Sequence, residues 1–157
     1  MEINLSEEID AIKKQLKRQY LIVGVLGAFI VLIIVLTLFL QTRDTQTLFI
    51  IGGSIVLWLL VTTIWFMIFS FIKPEKKWLK VVQKAETSEL KEIICQIKED
   101  LSKSFEDGFF VHRYETQGES GTLILKVEDS LGFNLEVGKL YKLKINSRFV
   151  FGVEEQL

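Results

Sequence analysis

The sequence predicts a membrane α-helical hairpin of two transmembrane helices, followed by a small cytoplasmic α+β domain with about four antiparallel strands. Three observations indicate this fold class. Residues 20–40 and 45–72 contain no charged side chain, although 25% of the whole chain is charged. Basic residues gather outside both apolar runs, and the final third of the chain alternates β-rich stretches with turn-like ones. Since roughly 20 helical residues cross a hydrocarbon core about 30 Å thick, both runs are long enough to span a bilayer.

The distribution of basic residues predicts the orientation of the hairpin. The connecting segment 41–47 holds only Arg43 beside Asp44. Both flanks of the hairpin are basic, through Lys13, Lys14, Lys17 and Arg18 before it and Lys73, Lys76, Lys77, Lys80 and Lys84 after it. Lys and Arg beside a span resist translocation. We therefore expect both termini in the cytoplasm and the protein in an inner or plasma membrane. A cleaved signal peptide is disfavoured, because the charged lead-in is long and no A-x-A-like site follows the first run.

The segment before the first span has the pattern of an amphipathic helix. Leu5, Ile9, Ile12 and Leu16 recur at helical spacing, and Ser6 is a candidate N-cap. This apolar stripe could lie on the membrane surface or pair with another helix, and the adjacent lysines favour the membrane surface.

Small residues within the two spans predict helix packing. They are Gly24, Gly27 and Ala28 in the first span and Gly52 and Gly53 in the second. Small side chains let helix backbones approach closely. Because the two clusters lie at opposite depths, we expect contacts between copies of the chain and hence a homo-oligomer. Glycine is also simply common in membrane helices, and that interpretation stays open.

The remainder of the chain predicts a linker, a helix and strands. Pro74 is expected to stop or kink the second helix. Ser88 is a candidate cap for a helix with one apolar face, formed by Leu90, Ile93, Ile94, Ile97 and Leu101. We expect strands near 109–114, 122–127, 139–145 and 148–153, with Asn146 and Ser147 joining the last two, and we expect the helix to cover their apolar face.

These patterns divide the chain into six segments. In order they are an amphipathic cytoplasmic helix (1–19), transmembrane helix 1 (20–40), a short extracytoplasmic loop (41–47), transmembrane helix 2 (48–72), a basic juxtamembrane linker (73–87) and the cytoplasmic α+β domain (88–157).

The residues that usually carry chemistry are few. The chain has one histidine, His112, and one cysteine, Cys95. Nucleophilic triads and metal sites need several such groups together. No glycine-rich phosphate loop and no selectivity-filter sequence occurs. We therefore predict no enzyme activity, no catalytic residue, no metal and no cofactor.

One strip of the predicted sheet combines cations with aromatic rings and is the candidate ligand site. Its members are His112, Arg113, Tyr114, Lys142, Lys144 and Arg148, with Lys126, Tyr141 and Phe149 interleaved. Cations beside aromatic rings can hold phosphates and stack bases, which favours a small nucleotide ligand. A polymeric nucleic acid is disfavoured, because acidic residues outnumber basic ones in this region. A solvated polar face of a sheet would show the same pattern.

The order of these parts resembles that of the small CRISPR-associated membrane effectors that join two spanning helices to a cytoplasmic domain sensing cyclic oligoadenylate. The resemblance covers chain size, the number of spans and the order of parts, and no residue motif. It implies a sensor in antiviral defence whose ligand domain signals to an oligomeric transmembrane bundle. The second hypothesis is a non-catalytic anchor or accessory subunit that docks a protein on its β-domain. That layout is similar to the NfeD-like proteins, although the glycine-rich pattern of their barrel is not evident here.

Overall fold

The computed structural model describes residues 2–39, 46–106, 108–118 and 121–156. They divide into two compact units. One contains Lys13–Glu75, and the other joins the residues up to Ile12 with those from Lys76 onward. Most of the predicted loop 41–47 lies outside the described residues.

Two long helices carry the apolar runs. α1 extends over Leu5–Phe39 and α2 over Gln46–Met67. Both are long and apolar enough to cross a membrane by length and composition. The two helices approach each other near their connected ends, where the position of a Cβ on Gly53 would lie 3.4 Å from Thr37 Oγ1. No such contact surrounds Gly24, Gly27 or Gly52.

Pro74 changes the helical register without ending the helix. A π-helical turn, Ile68–Ile72, follows α2, and α3 continues over Lys73–Thr87. The N–H of Lys73 bonds to the carbonyl of Ile68, five residues back. The proline ring would clash with the carbonyl four residues before it, and a wider turn at that point relieves the clash. The predicted linker 73–87 is therefore helical.

The apolar stripe of the first segment is covered by protein. Ile9, Ile12 and Leu16 are all buried, so the favoured placement of this stripe on the membrane surface was wrong. Within the unit that contains the barrel, Trp78 Nε1 lies 3.4 Å from Glu8 Oε1 as a donor. The helix pairs with other protein elements, which was the second interpretation of its pattern.

Five strands form a closed barrel in the order β1-β2-β3-β5-β4. They are β1 (Lys91–Glu106), β2 (Phe109–Gly118), β3 (Gly121–Glu128), β4 (Leu140–Asn146) and β5 (Phe149–Gln156). Neighbours are antiparallel except for a parallel contact between β3 and β5, which pairs only Lys126 with Phe149. The result is a small five-stranded barrel of mixed but mainly antiparallel pairing. A short 3₁₀ turn, Asp129–Leu131, follows β3.

The predicted helix from Ser88 is wrong, because β1 occupies that segment. Ile93, Cys95 and Ile97 alternate toward the interior with a period of two, and β-branched side chains suit a strand. Bulges after Ile97 and Asp100 shift the register between β1 and β2, and Ser102 adopts a positive φ of 66°. These irregularities let one 16-residue strand pair with β4 along its first part and with β2 along most of its length.

The four predicted strands are present, but their apolar residues cover two different faces. Tyr114, Leu125 and Leu143 lie with other buried side chains inside the barrel. Phe149 and Phe151 instead contact the indole of Trp78, with ring centroids 5.9 and 6.0 Å from it. The covering helix is thus α3, which precedes the barrel.

Candidate functional site

The predicted ligand strip is divided between two places on the barrel. Arg113 pairs in register with Lys126 across β2 and β3. Lys142 and Lys144 lie on β4, which is hydrogen-bonded to β1 and β5. Because β1 separates β2 from β4 in the barrel order, the six residues do not form one continuous strip.

The first group is a small ion-pair cluster around Glu106. Lys126 Nζ is bonded to Glu106 Oε2, and Arg113 Nη1 lies 3.3 Å from Glu106 Oε1. The hydrogen bond from Lys126, with a further one from Ser104, holds the pKa of Glu106 below its usual range. Arg113 Nε is buried and has no hydrogen-bond partner. Both cations of this group therefore already share a carboxylate.

The second group borders an open pocket of about 320 Å³. Lys142 Nζ lies 2.8 Å from Glu92 Oε2, and Lys144 Nζ lies 2.8 Å from Glu2 Oε1. The hydrogen bond between Lys142 and Glu92 lowers the pKa of the carboxyl and raises that of the amine. A Cβ on Gly152 would come within 3.2 Å of the Lys144 side chain, so glycine leaves room for that lysine to cross β5. An anion entering this pocket would have to displace two carboxylates.

His112 and Tyr114 are engaged with the barrel itself. His112 Nε2 lies 2.6 Å from Asp100 Oδ1, and Nδ1 lies 3.1 Å from the hydroxyl of Tyr114. Tyr114 is fully buried, and burial raises its pKa. Its ring is a core side chain and is not available to stack on a base.

Arg148 is the exposed member of the predicted set. It lies in the turn between β4 and β5, next to Ser147 with its positive φ of 57°. Its carbonyl accepts the N–H of Lys126 at 2.8 Å, the hydrogen bond that joins β3 to β5. This contact holds the backbone of Arg148 beside β3.

The sequence interpretation missed the carboxylates that pair with these cations. Glu92 lies opposite Lys144 in the register of β1 and β4, two residue pairs from Lys142. This partner could not be found while the segment was interpreted as a helix. Cys95, in the same strand, is buried in the barrel core, and burial raises its pKa.

Metal-ligating side chains are dispersed over the described parts of the chain: nowhere there do three His, Cys, Asp or Glu residues gather as a metal site would require. No family model matches the chain, and neither curated proteins nor solved structures give a significant match.

The Glu106 cluster predicts a specific loss of stability in acid. A carboxyl with a lowered folded-state pKa stabilises the fold above its unfolded pKa of about 4.3, and this contribution disappears as the pH falls through the folded pKa. We expect Glu106→Gln to lower the melting temperature at pH 7. The difference in melting temperature between this variant and the wild type should shrink as the pH falls toward 3. Near-ultraviolet circular dichroism of the detergent-solubilised chain measures this, with Glu86→Gln at an exposed position of α3 as the control. A deficit that stays constant with pH would contradict the ion-pair account.

Proposed function

We propose that this chain is a non-catalytic, membrane-anchored accessory protein, in which two transmembrane helices hold a cytoplasmic five-stranded barrel that docks a protein partner. The anchoring is supported by the two long apolar helices and by the basic flanks that favour cytoplasmic termini. The combination of membrane hairpin and barrel agrees with the layout of the NfeD-like proteins.

The observation that carries the docking proposal is the incomplete edge of β3. Among the described strands, only β2 lies beside Gly121–Leu125, because β5 meets β3 at Lys126 alone. Leu123 and Ile124 on this stretch are exposed. A strand edge that lacks a neighbour offers backbone donors and acceptors, and adjacent apolar side chains add burial when another strand joins it.

The occupant that fits this edge is an extended segment of a partner protein. Main-chain hydrogen bonds to β3 would supply affinity, and Leu123 and Ile124 would supply side-chain contacts on alternate faces. The charged groups elsewhere on the barrel favour this proposal over an anion site, since Lys126, Lys142 and Lys144 are each paired with a carboxylate.

Photo-crosslinking in native membranes tests this function. We expect a photoreactive side chain at Ile124 to give one discrete adduct with a different protein. Leu123→Asp should abolish the adduct, because it places a charge in the proposed contact. Val137, which is apolar and 55% exposed, is the matched control position and should not give that adduct. Equal labelling from both positions would contradict the proposal, and an adduct of two copies of this chain would assign the edge to self-association.

The second candidate is the sensor of a small anionic ligand, supported by the pocket that Lys142 and Lys144 border and by exposed Arg148. A symmetric assembly of copies would gather these cations around one ligand, and Gly24 and Gly27 have open space for helix contacts between copies.

Calorimetric titration of the full chain with cyclic oligoadenylates separates the two candidates. If the chain is a sensor, the wild type should release heat on binding and the Lys144→Ala variant should not. Lys139 forms its ion pairs elsewhere, with Glu136 and Glu155, so the Lys139→Ala control should bind as the wild type does. Glu92→Gln should strengthen binding, because it removes a competing carboxylate from Lys142. No heat in either the wild type or Glu92→Gln would exclude the sensor and leave the accessory function.

A further inference from the structure

A groove of about 290 Å³ lies on the barrel where β2 ends and β3 begins. It is lined by residues 91–95 at the start of β1, by Gly118 at the end of β2 and by Leu123 of β3. We call it the Leu123 groove. It is distinct from the pocket of about 320 Å³ described above, although Glu92 lines both. Its position on β3 places it next to the strand edge of the proposed docking site.

Strand pairing leaves the strands around this groove without neighbours. β2 pairs with β1 only from Cys95 onward, so residues 91–94 of β1 have β4 alone beside them among the strands described. In the same part of the structure, β3 has β2 alone beside Gly121–Leu125. The wall of the barrel is therefore incomplete at the groove.

Leu123 has the orientation of a core residue but is not covered like one. Alternate residues of a strand face the same side of a sheet, and the next two in this series, Leu125 and Val127, are each 1% exposed. Leu123 is 39% exposed. Cys95, which also lines the groove, is buried in the core cluster of the barrel. The groove is thus an extension of the barrel core that the described residues leave open.

Gly118 forms its part of the groove with backbone alone. A Cβ at this position would lie 2.9 Å from the carbonyl oxygen of Ile94 and 3.5 Å from Cβ of Cys95. The end of β2 therefore approaches β1 more closely than a side chain at residue 118 would allow. This close approach leaves the groove free of any side chain from residue 118.

The chemistry and size of the groove select an aliphatic side chain. The apolar residues of its lining are Ile93, Ile94, Cys95 and Leu123. Burial raises the pKa of the Cys95 thiol, which keeps this group neutral. The carboxylate of Glu92 is already paired with Lys142 at 2.8 Å. Pockets that hold a whole small molecule have volumes of roughly 300–1,000 Å³, so a groove of about 290 Å³ suits a single side chain better than a nucleotide.

We propose that the partner segment at the β3 edge inserts one aliphatic side chain, the anchor, into the Leu123 groove. The inference rests on the proposed docking of an extended segment at that edge. In an added strand, side chains that face inward with Leu123 meet the groove, and those that face outward with Ile124 do not. Main-chain hydrogen bonds then give affinity, and the anchor gives specificity by completing the barrel core. The partner is thus an extended segment with one leucine, isoleucine or valine between residues that face outward.

A double-mutant cycle tests the anchor on the full chain. The adduct formed from a photoreactive side chain at Ile124 is digested and its partner peptide sequenced, and a synthetic peptide of that sequence is the probe. Its affinity for the detergent-solubilised chain is measured by fluorescence anisotropy, with each peptide residue replaced by alanine in turn. We expect one aliphatic residue to dominate, its replacement weakening binding by about tenfold or more.

The matching variants of the chain are Ile94→Ala and Leu123→Ala. Each should weaken binding of the original peptide severalfold but change binding of the peptide without its anchor much less, because the lost contact is the same one. Phe110→Ala is the control, since Phe110 is apolar and 58% exposed at the other end of β2 and should bind both peptides as the wild type does. Two groove variants are used so that the loss of folding in one of them does not decide the result.

The other outcomes each overturn a stated part. An adduct at Ile124 whose peptide has no dominant aliphatic residue removes the anchor and leaves the docking at the β3 edge intact. Losses that simply add between the groove variants and the peptide without its anchor place the anchor elsewhere on the barrel. A sequenced peptide that belongs to this chain assigns the groove to a second copy. No adduct at Ile124 removes the proposed docking and the anchor together.

Discussion

The long apolar surface that α1 and α2 leave uncovered is the constraint on which the proposed arrangement of this protein depends. Trp58 is 67% exposed and Trp65 is 59% exposed, among many exposed isoleucines, leucines and valines on the same helices. A soluble protein rarely leaves a continuous apolar surface of this extent uncovered. Inside a bilayer the same surface is satisfied by lipid, and a helix satisfies its own backbone groups there. The polar chemistry is then confined to the segments outside the two runs.

The passage from the second apolar run to the barrel depends on one helix and one indole. The chain stays helical from Gln46 to Thr87, with the π-helical turn at Ile68–Ile72 absorbing the effect of Pro74. Trp78 then packs against aromatic rings of β2 and β5 and is almost fully buried. The indole therefore holds α3 against the barrel.

The sequence predicted the apolar helices well, because their signal is the absence of charge over a long stretch. It predicted four of the strands from short alternating stretches such as Leu123–Val127. It failed on β1, since Leu90, Ile93, Ile94, Ile97 and Leu101 also fit one face of a helix. No glycine or proline in this segment indicated a strand, because the bulge in β1 places Ser102, and not a glycine, at a positive φ.

The error on β1 hid Glu92 as the partner of Lys142, so the cations appeared unpaired. Side-chain pairs across a barrel follow from strand register, which a single sequence does not specify.

The central proposal is that both apolar runs cross the membrane, with the segment between them outside and the barrel inside. Cysteine labelling of intact cells with a membrane-impermeant maleimide tests it most directly, in a Cys95→Ala background with Thr45→Cys in the predicted loop 41–47 and Lys84→Cys on α3. The account predicts that position 45 reacts before lysis and that position 84 reacts only after it. Reaction at 84 in intact cells, or protection of 45 until lysis, would contradict the account.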